Sequence, residues 1–135
     1  SLICLEVLIE DKKIINKLSF AGANNSLYLV RKGELIELTA DKMPIGIYLG
    51  MDKPFTNKEM ILESGDTTYL FSDGYADQFG GEKGKKFKYK NLLRLLLEIH
   101  HLPMKEQKSV LEKNLITWQG QHEQLDDNLI MGVKI

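Results

Sequence analysis

The chain opens as a series of short apolar runs separated by polar breaks, a pattern of strands and turns rather than of helices. Residues 2–10 form one run, Asp11-Lys12-Lys13 breaks it, and residues 14–21 return, which predicts an antiparallel hairpin. Gly22-Ala23-Asn24-Asn25-Ser26 is a tight connection rich in residues that tolerate positive φ. Residues 27–31 and 34–39 then flank Lys32-Gly33, which predicts a second hairpin with Gly33 in its turn. The first third therefore reads as a β-meander. Lys42-Met43-Pro44-Ile45-Gly46 reads as a loop, followed by a polar stretch to Thr56 and a strand over 58–62. Glu63-Ser64-Gly65-Asp66 is a turn, with Asp66 closing it through hydrogen bonds to its own backbone. The strand that follows, 67–71, is β-branched and aromatic without polar alternation, so it is expected to be buried on both faces.

Beyond residue 78 the pattern changes. Residues 79–86 are rich in glycine and charge and are expected to form a mobile surface loop. Leu92, Leu93, Leu96, Leu97 and Ile99 recur at helical spacing, as do Val110, Leu111, Leu115 and Trp118 after Pro103. A last apolar run over 129–135 predicts a strand. Strands, then a helix pair, then a final strand indicate an α+β layer, with helices packed on an antiparallel sheet. No internal repeat or linker divides residues 1–135, which read as one unit.

Composition narrows the function classes. With 135 residues, 43% hydrophobic and 27% charged, the chain can bury a core of its own. A formal net charge of -1, from 18 basic and 19 acidic residues, supplies no bulk attraction to nucleic acid or to an anionic membrane. The single cysteine, Cys4, cannot form an internal disulfide; it is read as a small core residue of a reducing compartment, which points to the cytoplasm. The apolar start is too short to span a bilayer and lacks the basic flank of a signal peptide. Because it begins without a cap or polar lead-in, the chain is expected to have been cut from something longer.

The chemistry concentrates where the buried strand stops, at Ser72-Asp73-Gly74-Tyr75-Ala76-Asp77. Asp-Gly alone is a common turn dipeptide and needs no function to explain it. Asp77, however, is not needed by a turn, and a second acidic pair, Asp126-Asp127, precedes the last strand. Carboxylates without a His or Cys cluster favour Mg, Mn or Ca over Zn. The two acidic segments are far apart in sequence and can meet only through the fold.

Four ordered segments carry a resemblance. They are Phe20-Ala21-Gly22-Ala23-Asn24-Asn25-Ser26-Leu27-Tyr28-Leu29, Asp41-Lys42-Met43-Pro44-Ile45-Gly46, the stretch from Gly65-Asp66 through Ser72-Asp73-Gly74-Tyr75-Ala76-Asp77, and Gln124-Leu125-Asp126-Asp127. Together they closely resemble the SpoIIE-like branch of the metal-dependent type 2C serine/threonine protein phosphatases. The resemblance implies an antiparallel β-sandwich flanked by helices, with two Mn or Mg ions in a cleft at one end. It implies hydrolysis of phosphoserine or phosphothreonine on a protein partner, often an anti-anti-sigma factor in a bacterial stress or developmental pathway.

Carried over residue by residue, the resemblance makes Asp73 and Asp126 metal ligands, with Gly74 as the turn beside the first. Asp77 matches an acidic position that in some members helps hold an additional, weaker metal. Asp127 stands where many relatives have Asn and is the weaker candidate. In such a centre the ions lower the pKa of a bridging water and orient it in line with phosphorus, so no protein nucleophile is required. Neither Cys4 nor Ser72 is assigned that role; Ser72 reads as a turn hydroxyl.

Two departures qualify the likeness. The Asp-x-x-Gly-His-Gly type segment that bears the family's bridging Asp is absent, and Leu129 lies where a small hydroxyl residue is usual. The chain is therefore expected to be the C-terminal part of a phosphatase domain, truncated at its N-terminus. It would hold one side of the metal site and be inactive alone. An upstream sensor or regulatory region, through which the parent could be membrane-anchored, belongs to the same expectation, and sheet edges left open invite pairing with a second copy. The alternative is a non-catalytic, degenerate or truncated module that only docks a partner.

Smaller signals are read conservatively. His100 and His101 end a helix, where they point about 100° apart and do not form a metal pair. His122 is read as part of a solvated loop. Lys83, Lys85, Lys86, Lys88 and Lys90 are read as a solvated basic face, and Asn24 and Asn25 as turn residues.

Overall fold

A computed structural model describes residues 2–42 and 54–135 of the chain. These divide into two compact units, one running to Leu70 and including Ile135, the other spanning Phe71–Lys134. The class is the expected one, mixed α+β with antiparallel sheets.

In the first unit, β1 (Leu2–Glu10) pairs antiparallel with β2 (Lys13–Ala21), and β2 with β5 (Lys58–Leu62). A second sheet sets β3 (Leu27–Arg31) between β4 (Glu34–Leu38) and β6 (Thr67–Phe71). Both hairpins turn on two residues at positive φ, Asp11 and Lys12 in the first and Lys32 and Gly33 in the second. That backbone twist matches the twist of the flanking strands. Leu18 and Phe20 of β2 and Leu62 of β5 share one core with Leu27, Leu29 and Leu38 of the other sheet, which makes the arrangement a sandwich.

The register explains two surface features. Cys4 lies opposite Ser19 and is exposed, so it is not the small core residue expected; the alternation of β1 sends it to the side away from Leu18. Leu5 and Ile9 share the face of their partners Leu18 and Ile14, yet Leu5, Val7, Ile9 and Ile14 are exposed while Leu18 is buried.

Asn24 takes φ 62° and its N–H donates to the Asp41 carbonyl at 2.9 Å, in keeping with its reading as a turn residue. Asp41 in turn accepts from the Thr56 N–H at 2.6 Å and its hydroxyl at 3.0 Å. Of the loop expected at 42–46, Met43-Pro44-Ile45-Gly46 lies outside the described residues.

Asp66 is 1% exposed and accepts the Glu63 N–H at 2.8 Å, which closes the expected turn. It also receives a bidentate grip from Arg31, with Nε at 3.0 Å and Nη2 at 2.6 Å from its two oxygens. Burial pushes the Asp66 carboxyl upward, but the Arg31 bonds, the Glu63 N–H and the charges of Arg31 and Lys32 outweigh it and leave it below the usual carboxylate range.

The second unit contains α1 (Gly74–Asp77), β7 (Phe79–Gly80), β8 (Lys85–Lys86), α2 (Tyr89–Ile99), α3 (Met104–Gln119) and β9 (Ile130–Lys134). Leu92, Leu96 and Ile99 form the buried stripe of α2, while α3 buries only Gln107 and Leu111. Pro103 precedes α3, and Gly120 at φ 54° ends it. Among the described residues no helix is long and apolar enough to cross a membrane.

The expectation of a mobile loop over 79–86 is corrected. β7 and β8 pair, the Gly81 N–H donates to the Trp118 carbonyl at 2.8 Å, and the Trp118 indole N–H donates to the Gln78 carbonyl at 2.9 Å. Glycines that looked like flexibility are there for contact: a Cβ on Gly80 would overlap the Trp118 carbonyl oxygen. Tyr75, Phe87 and Trp118 stack edge to face, with centroids 5.3 and 5.4 Å apart.

Candidate functional site

The buried strand β6 ends at Phe71, and Ser72 then ties its end to the segment before β9. The Ser72 N–H donates to the Leu129 carbonyl at 2.9 Å. Its hydroxyl donates to the Asp127 carbonyl at 2.8 Å and accepts the Leu129 N–H at 3.0 Å. Ser72 thus satisfies three polar groups of the facing backbone, two through its hydroxyl and one through its N–H. A turn hydroxyl was expected here; what it serves is the junction of the two acidic segments.

Gly74 completes the junction. Its φ is not positive, so no turn geometry demands glycine. The demand comes from proximity, since a Cβ there would overlap the Asp127 carbonyl oxygen and lie 2.7 Å from the Asn128 Oδ1. Both polar atoms of the Asn128 side chain are buried without a hydrogen-bond partner among the described residues.

The four carboxylates are placed as follows. Asp73 is exposed at the N-cap of α1, makes no side-chain cap bond, and its Oδ1 accepts the Tyr89 hydroxyl. Asp77, one turn on, accepts the Lys86 ammonium at 3.0 Å. Asp126 is exposed, and its Oδ1 accepts the Asp127 N–H at 2.7 Å. Asp127 contributes its backbone to the Ser72 clamp. Asp77 and Asp126 line one shallow depression with Gly74, Gln78, Phe79 and Leu125, whereas Asp73 and Asp127 stand outside that lining.

The buried Gln78 is part of that lining. Its amide donates to the Glu123 carbonyl at 2.9 Å and to the Phe79 carbonyl at 3.0 Å. Gln78, Lys86 and Tyr89 were not singled out as site residues by sequence. A lysine in a basic run and a tyrosine at a helix start carry no local signal of what they will touch. His122 turns its Nδ1 to the Gln119 carbonyl at 3.1 Å and does not line the depression.

Whether divalent ions fit is decided by the donor set. Among the described residues no three His, Cys, Asp or Glu side chains gather closely enough to hold a metal ion. A complete two-ion centre therefore does not fit these residues alone. They bring the two acidic segments together at the Ser72 and Gly74 junction.

The sequence profile of the family described as Stage II sporulation protein E (SpoIIE) matches residues 4–135. The SiaA-PP2C domain of Pseudomonas aeruginosa is similar at 33% identity and TM-score 0.79, over 90% of this chain and 50% of that one. The phosphatase domain of the cell fate determinant SpoIIE from Bacillus subtilis is similar at 15% identity and TM-score 0.55, over 98% and 58%. The catalytic domain of the serine/threonine protein phosphatase PstP, solved in complex with 2 manganese ions, is similar at 20% identity and TM-score 0.51, over 96% and 56%. The last two likenesses bear on the fold alone. No curated protein matches the chain. The chain spans between half and three-fifths of the length of these solved relatives. With the profile running from residue 4 to residue 135, this chain belongs to the SpoIIE family, whose solved relatives carry the type 2C phosphatase fold.

Proposed function

We propose that this chain is the C-terminal part of a phosphatase domain that hydrolyses phosphoserine or phosphothreonine on a regulatory protein. It supplies one side of a centre that Mn or Mg completes with residues outside these 135. The observation that carries the reading is the convergence of Asp77 and Asp126 on one depression, held by the Ser72 clamp and the close approach at Gly74. Family membership and the SiaA-PP2C likeness support the reaction class. An anti-anti-sigma type of phosphoprotein as substrate, an upstream sensor and a cytoplasmic location belong to the same proposal.

The test has two arms. Calorimetric titration of the 135-residue chain with Mn should give weak binding that Asp126→Asn removes, and p-nitrophenyl phosphate should not be turned over. Sustained turnover by the chain alone overturns the split centre. A chain extended upstream to the length of the solved relatives should turn the ester over and lose that activity on Asp126→Asn.

One observation favours a second reading, a partner-binding module without catalysis. Asp73 and Asp77 are each already engaged, by Tyr89 and Lys86. The readings separate on the upstream sequence: an acidic residue in an Asp-x-x-Gly-His-Gly type segment supports the enzyme, and its replacement by a neutral residue supports the module.

A further inference from the structure

We propose that β1 is the docking edge for the remainder of the domain: an upstream segment of the same polypeptide adds as a strand along β1 and covers the apolar face at the tip of the β1–β2 hairpin. The inference rests on the reading above, that these 135 residues are the C-terminal part of a phosphatase domain, and names the surface on which the other part packs.

β1 runs for nine residues in unbroken antiparallel register with β2, and among the described residues no strand pairs with its other side. Every second residue therefore turns its N–H and C=O away from β2. Edges that stay open are ordinarily blunted by proline, lysine, a bulge or an inward charge. Leu2–Glu10 has no proline, lysine or bulge, and its positions on the side of Leu18 and Phe20 are Ile3, Leu5, Val7 and Ile9. Such an edge is built to pair.

The same strand is open on its face. Ile3 packs against the sandwich core, but Leu5, Val7, Ile9 and Ile14 on that face are between 44% and 77% exposed. For side chains of this size that leaves roughly 400–500 Å² of contiguous, largely apolar surface, as large as the biggest patch on a typical monomer and a common mark of an interaction site. Edge and face are open at one place, so a single segment can close both.

Length identifies the occupant. This chain matches the SiaA-PP2C domain over 90% of its own residues but over 50% of that domain, so half of the related fold is built outside the matched part. A second copy fits less well, because antiparallel pairing of two β1 strands crowds Glu6 and Glu10 of both copies on the opposite face, and like charges on adjacent strands repel. Lys17 does not relieve this: it stands 4.0 Å from Glu6 but 2.9 Å from Glu59. The incoming strand is therefore apolar towards the sandwich and carries Lys or Arg beside Glu6 and Glu10.

The experiment compares the 135-residue chain with a chain extended upstream to the length of the solved relatives. The outward amides of β1 should exchange about a hundredfold more slowly in the extended chain. Val7→Lys should leave the urea midpoint of the 135-residue chain unchanged, because that side chain is in water, and should lower the midpoint of the extended chain. Should the extended Val7→Lys chain not fold, Val7→Thr gives the same contrast in milder form. Equal exchange in the two chains, with no added sensitivity to Val7→Thr, refutes the docking edge; turnover of p-nitrophenyl phosphate by that extended chain would leave the phosphatase reading standing without it. Protection of β1 in an extended chain that has no turnover keeps the docking edge and removes the catalytic reading. Protection that appears in the 135-residue chain as concentration rises, with a dimer in sedimentation, assigns the edge to a second copy and overturns the proposal.

Discussion

Asp66 offers a sharp test of how the first unit is held together. Its carboxylate is 1% exposed, while the Arg31 side chain that grips it is 23% exposed. Asp66→Asn keeps the shape and removes the charge. It leaves Arg31 with the Ile61 carbonyl at 2.9 Å and the Glu63 carboxylate at 3.5 Å. Breaking a buried pair by removing one partner costs roughly 3–5 kcal/mol, because the survivor is left uncompensated. Arg31 retains other partners and can turn toward water, so Asp66→Asn should fall at the low end, about 3 kcal/mol. Arg31→Gln should cost more, about 4 kcal/mol, since Asp66 has no route to solvent. The double variant should cost less than the sum of the two.

Urea denaturation followed by far-ultraviolet circular dichroism measures all three. The pH dependence gives an independent check. The folded state holds the Asp66 carboxyl below its ordinary value, so the unfolded chain takes up the proton first as pH falls. The stabilisation is complete above the unfolded value of about 4 and is lost as pH drops through the lower folded value. The gap between wild type and Asp66→Asn should therefore be constant near neutrality and close in acid. Additive single substitutions, losses under about 1 kcal/mol, or a gap that persists in acid would refute the reasoning.

Three further substitutions probe the second unit. Gly74→Ala should destabilise by about 2 kcal/mol, because a Cβ meets the Asp127 backbone rather than a side chain that can move, and it should weaken Mn binding as the acidic segments part; thermal melts and calorimetry read the two effects. Ser72→Ala removes both hydroxyl bonds to the Asp127 and Leu129 backbone and should cost about 1–2 kcal/mol by urea denaturation, with the loss concentrated in amide exchange at Leu129. Trp118→Ala withdraws the surface on which Gly80 and Gly81 rest, so limited proteolysis should begin to cut within 79–86, where the wild type is expected to resist.

The strands of the first unit were legible because local rules agree there: short apolar runs, turn residues at the breaks, and a run at 67–71 with no polar alternation all point to the same elements. Asp66 was legible as a turn residue, yet its Arg31 partner was not, since that contact joins β3 to the turn before β6. Residues 79–86 show the opposite failure. Glycine and lysine density signals a loop by local propensity, and the order comes from Trp118, a residue distant in sequence that needs glycine's missing side chain as its seat. Cys4 failed for a related reason, because the apolar character of β1 does not say which face is covered.

The acidic site was legible as two segments and illegible as a site. Asp73-Gly74 satisfies a turn preference by sequence, but its glycine answers to the Asp127 carbonyl; the same dipeptide fits either demand, and only the approach of the two backbones tells them apart. The resemblance makes Asp73, Asp126, Asp77 and Asp127 the candidate ligands; of these, Asp77 and Asp126 line one depression, and Asp73 accepts the Tyr89 hydroxyl.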